Sequence, residues 1–351
     1  IEINTEHEFV LFTNAENEHF FANTNNCKVI SSKMPPSKGL LRIVHEQVIL
    51  PYFFYKEKLD LIHFTGNVIS FLLWNKSILT VHDLMWKYYL HSDWVPKYKR
   101  IYYSMLCPLS FKLARKIITM STFIKEEIIQ DYKLPESRLV VIPQGQYVKD
   151  IEISAGERVV FEEEYGTGFL FTVTTTWPHK NLITLLKAQC ILKKRIKGYN
   201  RKLIVVGQNH LRNKEIVEFL EKEKMTKDDV LFLGFVSPAK LRYFYLNAGV
   251  LIFPSFYEGF GVPPVEAMKF GVPVVVSKAA SLPEVCGDAS LYADPNSPED
   301  FADQIQKIFD DEKVRGDLIA KGKKQEAKYY WPDFANQTMK SYEQLHAELK
   351  G

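Results

Sequence analysis

Two carboxylates, Glu258 and Glu266, lie in a segment that could bring both to one ligand. An apolar run at residues 250–253 predicts a strand. The following loop holds Glu258 beside Gly259, and the pattern predicts a helix over residues 264–270 with Glu266 in its first turn. Glycines let backbone amides approach a ligand closely, and a helix amino end favours an anion. Carboxylates accept strong hydrogen bonds from hydroxyls. The segment therefore predicts a site for a sugar or ribose next to an anionic group.

Each glutamate also has a simpler interpretation. Glu266 could be the last residue of a capping box that reaches back to the backbone N–H of the cap residue. Pro263, at the expected cap position, has no N–H to donate, which weakens that interpretation. Glu258 could be a solvated loop acid.

A third charged residue, Lys180, follows a predicted strand at residues 168–174 and precedes an amphipathic helix. Its charge opposes the helix dipole at that end, which makes sense if an anion lies between the ammonium and the backbone amides. Exposed lysines near helix starts are common, so the position alone is weak evidence.

The elements that must position these residues alternate between short apolar runs and longer amphipathic ones. Predicted strands are residues 8–14, 27–32, 59–64, 77–81, 116–120, 138–143, 168–174, 202–206, 230–235, 250–254, 273–277 and 289–293. Predicted helices are residues 40–56, 97–115, 121–132, 181–197, 214–224, 238–247, 264–270 and 331–349. This alternation predicts an α/β protein with two Rossmann-like parallel sheets, joined by a polar linker at residues 146–158. Ligands in such sheets bind in the loops after the strands.

The bulk composition agrees with two soluble-type domains. The chain has 351 residues, of which 46% are hydrophobic and 25% charged. Its four cysteines show no C-x-x-C spacing, which fits a reducing cytosol and argues against a zinc knuckle. No G-x-G-x-x-G follows a strand, which disfavours a nicotinamide dehydrogenase. Since no strand–glycine-loop–helix unit precedes the first strand, we expect the first unit of that domain to be missing or very divergent.

A basic and aromatic segment spans residues 94–116. It holds six basic residues, no acid, and interleaved aromatic residues that include Trp94. Such a helix can lie on an anionic membrane, and a solvated helix face above an aromatic core stripe is an equal alternative. The rest of the chain has no basic excess, which disfavours nucleic-acid binding.

The stretch from Pro254 to Val275, with its two glutamates, resembles the E-x7-E signature of family 4 retaining glycosyltransferases, and the likeness continues through residues 281–288. The resemblance implies the GT-B fold, with two Rossmann-like parallel-sheet domains facing a central cleft. It implies an acceptor-side domain at residues 1–150, a nucleotide-sugar domain at residues 151–328, and a helix at residues 329–351 that crosses back to the first domain.

The resemblance also implies roles in the second domain. Glu258 and the backbone around it contact the donor sugar, and Glu266 holds the ribose hydroxyls. Lys180, in a Pro-His-Lys-Asn motif, neutralises the donor diphosphate; many relatives have an arginine six residues earlier, where this chain has Thr174. The remaining implied donor-binding residues are Asn181, Gly207, Phe235, Val236, Gly259, Phe260 and Gly261.

In the first domain, His82 follows a strand. A lone histidine there is more often structural, but the resemblance implies that it faces the donor sugar, without binding metal. Gly66 and Asn67 follow another strand and are expected on the acceptor side.

The resulting hypothesis is retaining, metal-independent and cofactor-independent transfer of a hexose, with mannose favoured, from a nucleoside-diphosphate sugar. The acceptor is expected to be a glycan, a lipid-linked sugar or another hydroxyl in cell-surface polysaccharide or glycoconjugate synthesis. A cytoplasmic location with peripheral membrane contact fits this role. The alternatives are a sugar-nucleotide epimerase or hydrolase of the same fold, and a catalytically silent carbohydrate-binding partner subunit.

Overall fold

The computed structural model describes residues 6–21, 26–32, 43–90, 100, 102–146, 151–208 and 213–351. The chain divides into two compact units. Unit 1 comprises Ile1–Met120, Ile124–Ile142 and Pro332–Gly351, and unit 2 comprises Ser121–Phe123 and Pro143–Trp331. In the part of the chain that is described, no helix combines the length and apolar character needed to cross a bilayer.

Unit 1 contains parallel strands in two sheets. Its strands are β1 (Phe9–Asn14), β2 (Cys27–Ser32), β3 (Ile62–Phe64), β4 (Ser77–Val81), β5 (Lys116–Thr119) and β6 (Leu139–Val141). β1 pairs with β2, and the other four form a sheet in the order β3-β4-β5-β6. The predicted single sheet for this half is therefore divided in two among the described residues. β4 is buried along its whole length, whereas β1 is only half-buried, so the larger sheet forms the better-covered core.

The helices of unit 1 are irregular, since π-helical turns interrupt the two long predicted ones, which are already α-helical at residues 43–44 and 100. They are α1 (Leu50–Lys56), α2 (Met85–Tyr89), α3 (Cys107–Leu113) and α4 (Thr122–Tyr132). Single π-helical turns, His45–Ile49 and Tyr102–Leu106, precede α1 and α3, whose second residues are Pro51 and Pro108. Proline lacks the N–H that continuous α-helical bonding requires, which accounts for the changed hydrogen bonding there. Residues 40–42 of the first predicted helix, and 97–99 and 101 of the second, lie outside the described residues.

Unit 2 is built on one six-stranded sheet. Its strands are β7 (Phe169–Thr174), β8 (Leu203–Gly207), β9 (Val230–Gly234), β10 (Ala248–Phe253), β11 (Val274–Ser277) and β12 (Leu291–Ala293). They pair in the order β12-β11-β10-β7-β8-β9, and every pair is parallel. Apolar clusters cover both faces of the sheet, as a parallel sheet requires.

The helices of unit 2 include several that the sequence pattern did not predict. They are α5 (Ala155–Tyr165), α6 (Leu182–Arg195), α7 (Lys214–Lys222), α8 (Pro238–Asn247), α9 (Val262–Lys269), α10 (Leu282–Cys286), α11 (Pro298–Asp310) and α12 (Glu312–Glu326). The linker predicted at residues 146–158 is wrong at its end, because α5 begins at Ala155. Ser154 and Glu157 form a capping box there, a signal present in the sequence.

The last helix, α13 (Trp331–Lys350), has most of its residues in unit 1. The Oη of Tyr342 lies 2.6 Å from Nδ1 of His63, and the Nζ of Lys116 donates to Gln344 Oε1 at 2.8 Å. These contacts attach α13 to two strands of the four-stranded sheet. The predicted domain boundaries at residues 150 and 328 stay predictions.

Candidate functional site

The strand order of unit 2 reverses between β7 and β10. The chain passes from β7 to β8 and β9 on one side, and then places β10, β11 and β12 on the other. Loops diverge at such a switch point and leave a crevice at the carboxyl ends of the strands. Lys180 follows β7 and Glu258 follows β10, so the fold brings two of the predicted residues to this point.

Lys180 and Glu258 form an ion pair. The Nζ of Lys180 lies 2.7 Å from Oε1 of Glu258, and the two side chains are 19% and 12% exposed. The same ammonium lies 5.3 Å from the ring centroid of Phe253. Partial burial strengthens the pair relative to a surface ion pair, and the remaining exposure leaves it accessible to a ligand.

Asn181 holds the Lys180 loop in place. Lys180 ends a single 3₁₀ turn, and Asn181 adopts the left-handed conformation with φ 53° before α6 begins. The Asn181 amide donates to the carbonyls of Pro254 at 3.0 Å and Pro295 at 2.7 Å. Its Oδ1 accepts from the Thr184 hydroxyl at 2.7 Å. Both amide hydrogens are therefore used within the protein, and this side chain connects three loops at the carboxyl edge.

The Glu258 loop is fixed by its backbone. The Ser281 hydroxyl lies 2.9 Å from the carbonyl oxygen of Glu258 and 3.1 Å from that of Phe260. Gly261, with φ +100°, is the N-cap residue directly before α9, and a Cβ there would lie 2.7 Å from Leu282. The Phe260 side chain is buried in edge contact with Tyr329. The backbone of Gly259, Phe260 and Gly261 is thus held by the protein core.

Glu266 occupies a different place from the one predicted. α9 begins at Val262 rather than at Pro264, so Glu266 lies in the second helical turn and cannot close a capping box. Instead, the Tyr245 hydroxyl donates to Glu266 Oε2 at 2.6 Å. Burial raises the pKa of Glu266, and the bond from Tyr245 opposes this increase. Tyr245, which is almost fully buried, is a site residue that sequence reasoning missed.

Gly207 ends β8 beside the end of β7. It has φ +131°, and a Cβ there would lie 1.8 Å from the carbonyl oxygen of Thr174, so no side chain fits. Gln208 links the ends of β7 and β8, because its Oε1 accepts hydrogen bonds from the backbone N–H and the hydroxyl of Thr176 at 3.1 and 2.8 Å. Following β9, the Phe235 side chain is 83% exposed, while Val236 packs against the core.

Unit 1 places its predicted residues at the carboxyl edge of the four-stranded sheet. His82 is exposed directly after β4, and Gly66 is exposed after β3. Asn67 has a buried Oδ1 that accepts no hydrogen bond from the described residues. His63, within β3, also lies 2.6 Å from the Thr80 hydroxyl through its Nε2. Burial, together with the proximity of His82, lowers the pKa of His63 to about 4.

No cluster of three or more histidine, cysteine, aspartate or glutamate side chains able to hold a metal ion occurs among the residues with described positions. The four cysteines are buried free thiols. Within unit 2, the arrangement combines one accessible ammonium, two carboxylates and a glycine-rich backbone at a strand switch point. It is suited to bind an anion together with several hydroxyls.

Two family models together match most of the chain. The model of the family "Glycosyltransferase Family 4" matches residues 4–146, and that of "Glycosyl transferases group 1" matches residues 157–325. O-antigen chain mannosyltransferase B of Escherichia coli is 31% identical over 274 residues, covering 77% of this chain and 71% of that protein.

Two solved structures share the fold. Sucrose-phosphate synthase from Thermosynechococcus elongatus superposes with a TM-score of 0.76 at 21% identity, covering 97% of this chain and 88% of the other. Anabaena HepE in complex with UDP-glucose gives 0.70 at 16% identity, covering 96% and 100%. The family matches, the relative of 31% identity and the shared α/β fold show that the chain belongs to the family 4 glycosyltransferases of the GT-B fold.

Proposed function

We propose that the protein transfers a hexose from a nucleoside-diphosphate sugar to a hydroxyl acceptor, with retention at the anomeric carbon and without a metal ion. The Lys180–Glu258 pair at the strand switch point of unit 2 carries the proposal. It supplies one positive and one negative group side by side, which supports binding of an anionic leaving group next to a sugar hydroxyl.

In the proposed donor complex, Lys180 leaves Glu258 and pairs with the diphosphate. Glu258 then accepts hydrogen bonds from the sugar, with the backbone amides of Phe260 and Gly261 alongside it. Glu266, oriented by Tyr245, accepts from the ribose hydroxyls. Gly207 allows the nucleotide to approach the backbone, and the residues around Phe235 contact the base.

The proposed chemistry needs no protein nucleophile. The bond between the anomeric carbon and the diphosphate oxygen breaks, and the acceptor oxygen forms its bond on the same face. The acceptor proton passes to the departing phosphate. Lys180 supplies the charge that a metal ion supplies elsewhere, so the protein contributes positioning and fixed electrostatics. His82 is proposed to hydrogen-bond the transferred sugar.

Mannose is the proposed sugar, since one relative is an O-antigen chain mannosyltransferase, although HepE was solved with UDP-glucose. The proposed acceptor is a glycan or lipid-linked sugar in cell-surface polysaccharide synthesis. We further propose a cytoplasmic protein that contacts an anionic membrane through residues 94–116, of which 94–99 and 101 lie outside the described residues.

A screen of nucleoside-diphosphate sugars by thermal shift, followed by product analysis with the best donor, tests the proposal. Lys180→Ala and Glu266→Ala are each expected to reduce turnover at least about tenfold, the effect of about 1.4 kcal/mol at the transition state. Lys193→Ala, which breaks an ion pair with Asp229 on the same unit, is the matched control and should retain turnover.

Near-native rates in both site variants would reject the assignment. Incubation with donor alone separates transfer from epimerisation or hydrolysis, which need no second substrate. The anomeric configuration of the product tests retention, and turnover in the presence of a chelator tests independence of metal.

A further inference from the structure

A cavity lies in unit 1, at the edge of the four-stranded sheet opposite the edge at which His82 lies. Its volume is about 370 Å³, and its wall includes Trp74, Lys112, Arg115, Lys116, Arg138 and Glu348. Lys116 is the first residue of β5, Trp74 precedes β4, and Arg138 precedes β6. The cavity therefore lies at the amino edge of the four-stranded parallel sheet, whereas His82, Gly66 and Asn67 follow strands at the carboxyl edge.

The wall of this cavity is strongly basic. It contains four cationic side chains and one carboxylate, a formal excess of three positive charges at neutral pH. Glu348 is shared with Arg115 at 3.6 Å, an exposed and weak pair. The Nζ of Lys116 donates to a neutral amide, that of Gln344, at 2.8 Å. Within the described part of the chain, Lys112 makes no ion pair, so the wall is not neutralised by the protein.

One of the four cations has a structural role. The Arg138 guanidinium donates to the carbonyl of Phe111 at 3.0 Å and to that of Ala114, at the carboxyl end of α3. These hydrogen bonds account for the presence of a cation at position 138. They give no structural role to the exposed Lys112 and Arg115 beside it. Burial and the neighbouring charge of Arg115 lower the pKa of Arg138, so the cations repel one another. A bound anion would relieve that repulsion.

The side chains in and around the cavity indicate the chemical class of its ligand. Arginine and lysine together bind phosphate through directed donors and a point charge. Ser137 adds a hydroxyl to the wall. Trp74 lines the cavity and is 47% exposed, and Leu109, one helical turn before Lys112, is 42% exposed. The surroundings suit a phosphate that carries an organic group.

We propose that this basic cavity is a phosphate-binding site, separate from the donor site, that accepts a phosphate monoester or diester. Two sources share this chemistry: a free phosphorylated compound and the headgroup of an anionic lipid. The proposal does not depend on the transfer reaction, because the cavity lies in unit 1 and binding is read directly. Its lipid form rests on the membrane contact proposed for residues 94–116, which include Lys112, Arg115 and Lys116, whereas binding of free phosphate does not.

The test measures binding of inorganic phosphate by calorimetry at low ionic strength, and in parallel flotation with phosphatidylglycerol vesicles against phosphatidylcholine vesicles. The variants are Lys112→Gln with Arg115→Gln, both exposed positions that leave the Arg138 cap intact. Lys313→Gln with Lys324→Gln removes the same charge from α12 in unit 2 and is the matched control. Glu348→Gln removes the carboxylate that competes with an anion. All measurements are repeated with Lys180→Ala, so that phosphate at the proposed donor site is not counted.

We expect the Lys112/Arg115 variant to weaken binding by about threefold to tenfold, in line with two partly exposed charges. The Lys313/Lys324 control should leave binding unchanged, and Glu348→Gln should strengthen it. If the Lys112/Arg115 variant loses both phosphate binding and vesicle binding, a lipid headgroup is one source of the bound phosphate. If it loses phosphate binding alone, the source is a free phosphorylated compound. Absence of binding in both arms, or equal loss in the control, would overturn the proposal.

Discussion

The Tyr245–Glu266 hydrogen bond makes a quantitative prediction possible. Tyr245→Phe removes the hydroxyl that donates to Glu266 Oε2 at 2.6 Å and changes nothing else in a fully buried ring. Hydrogen bonds to charged groups contribute about 1.5–3 kcal/mol to stability. For a unit of this size, each kcal/mol shifts Tm by about 2–4 °C, so we expect Tm to fall by about 3–12 °C.

The same change should weaken use of the donor. Without Tyr245, the Glu266 carboxylate must be ordered when the ribose binds, at a cost of about 0.5–1.5 kcal/mol. This corresponds to a rise in donor KM of about twofold to tenfold, with a smaller effect on kcat. The bond from Tyr245 also lowers the pKa of Glu266, which burial raises. Because ribose binding uses the ionised carboxylate, the acid-side increase in KM should begin at a higher pH in the variant.

Tyr243→Phe is the matched control. Tyr243 lies two residues earlier on α8, is equally buried, and donates to the carbonyl of Gly166 at 2.8 Å. This bond joins neutral groups, so its loss should cost about 0.5–1.5 kcal/mol and leave the pH dependence of KM unchanged. Steady-state kinetics from pH 5 to 8 and thermal unfolding check both variants. If Tyr245→Phe matched Tyr243→Phe in Tm and in its KM profile, the positioning role of Tyr245 would be refuted.

Two further changes test other parts of the structure. Glu258→Gln should tighten binding of the free nucleoside diphosphate, because Lys180 loses its competing carboxylate, while sugar transfer should fall at least about tenfold. Calorimetry measures the binding and a turnover assay measures the transfer. A loss of both binding and transfer would contradict the proposed exchange of partners by Lys180. The pKa of His63 in the folded protein, about 4, lies below its usual value of 6.5. Between these two pH values the unfolded chain therefore binds more protons than the folded protein. The free energy of unfolding should fall by roughly 3 kcal/mol as the pH drops from 6.5 to 4. Denaturation of His63→Gln should show a flatter profile over this range, and an unchanged slope would exclude His63 as its source.

Much of the fold could be predicted from local pattern. β2, β4 and α8 have the predicted bounds, and the other predicted strands differ from the observed ones by at most three residues at an end. The errors occur at helix starts, where the polar or proline pattern conflicts with the residues that cap the helix. The polar first turn of α5 predicts a linker, although Ser154 and Glu157 carry a capping signal. Pro263 and Pro264 suggested a later start for α9 than the one that Gly261 provides.

The sequence by itself determined which residue types are available for chemistry. Lys180 and Glu258 each follow a strand, and Glu266 lies in a helix, and the local sequence is enough to predict each of these elements. Only the tertiary structure decided which of these residues meet. Lys180 and Glu258 are 78 positions apart, and they pair because β7 and β10 are adjacent in the sheet. Tyr245 meets Glu266 across two different helices. Local pattern reports burial and periodicity along one element, whereas these contacts depend on strand order and helix packing, which involve residues distant in the chain.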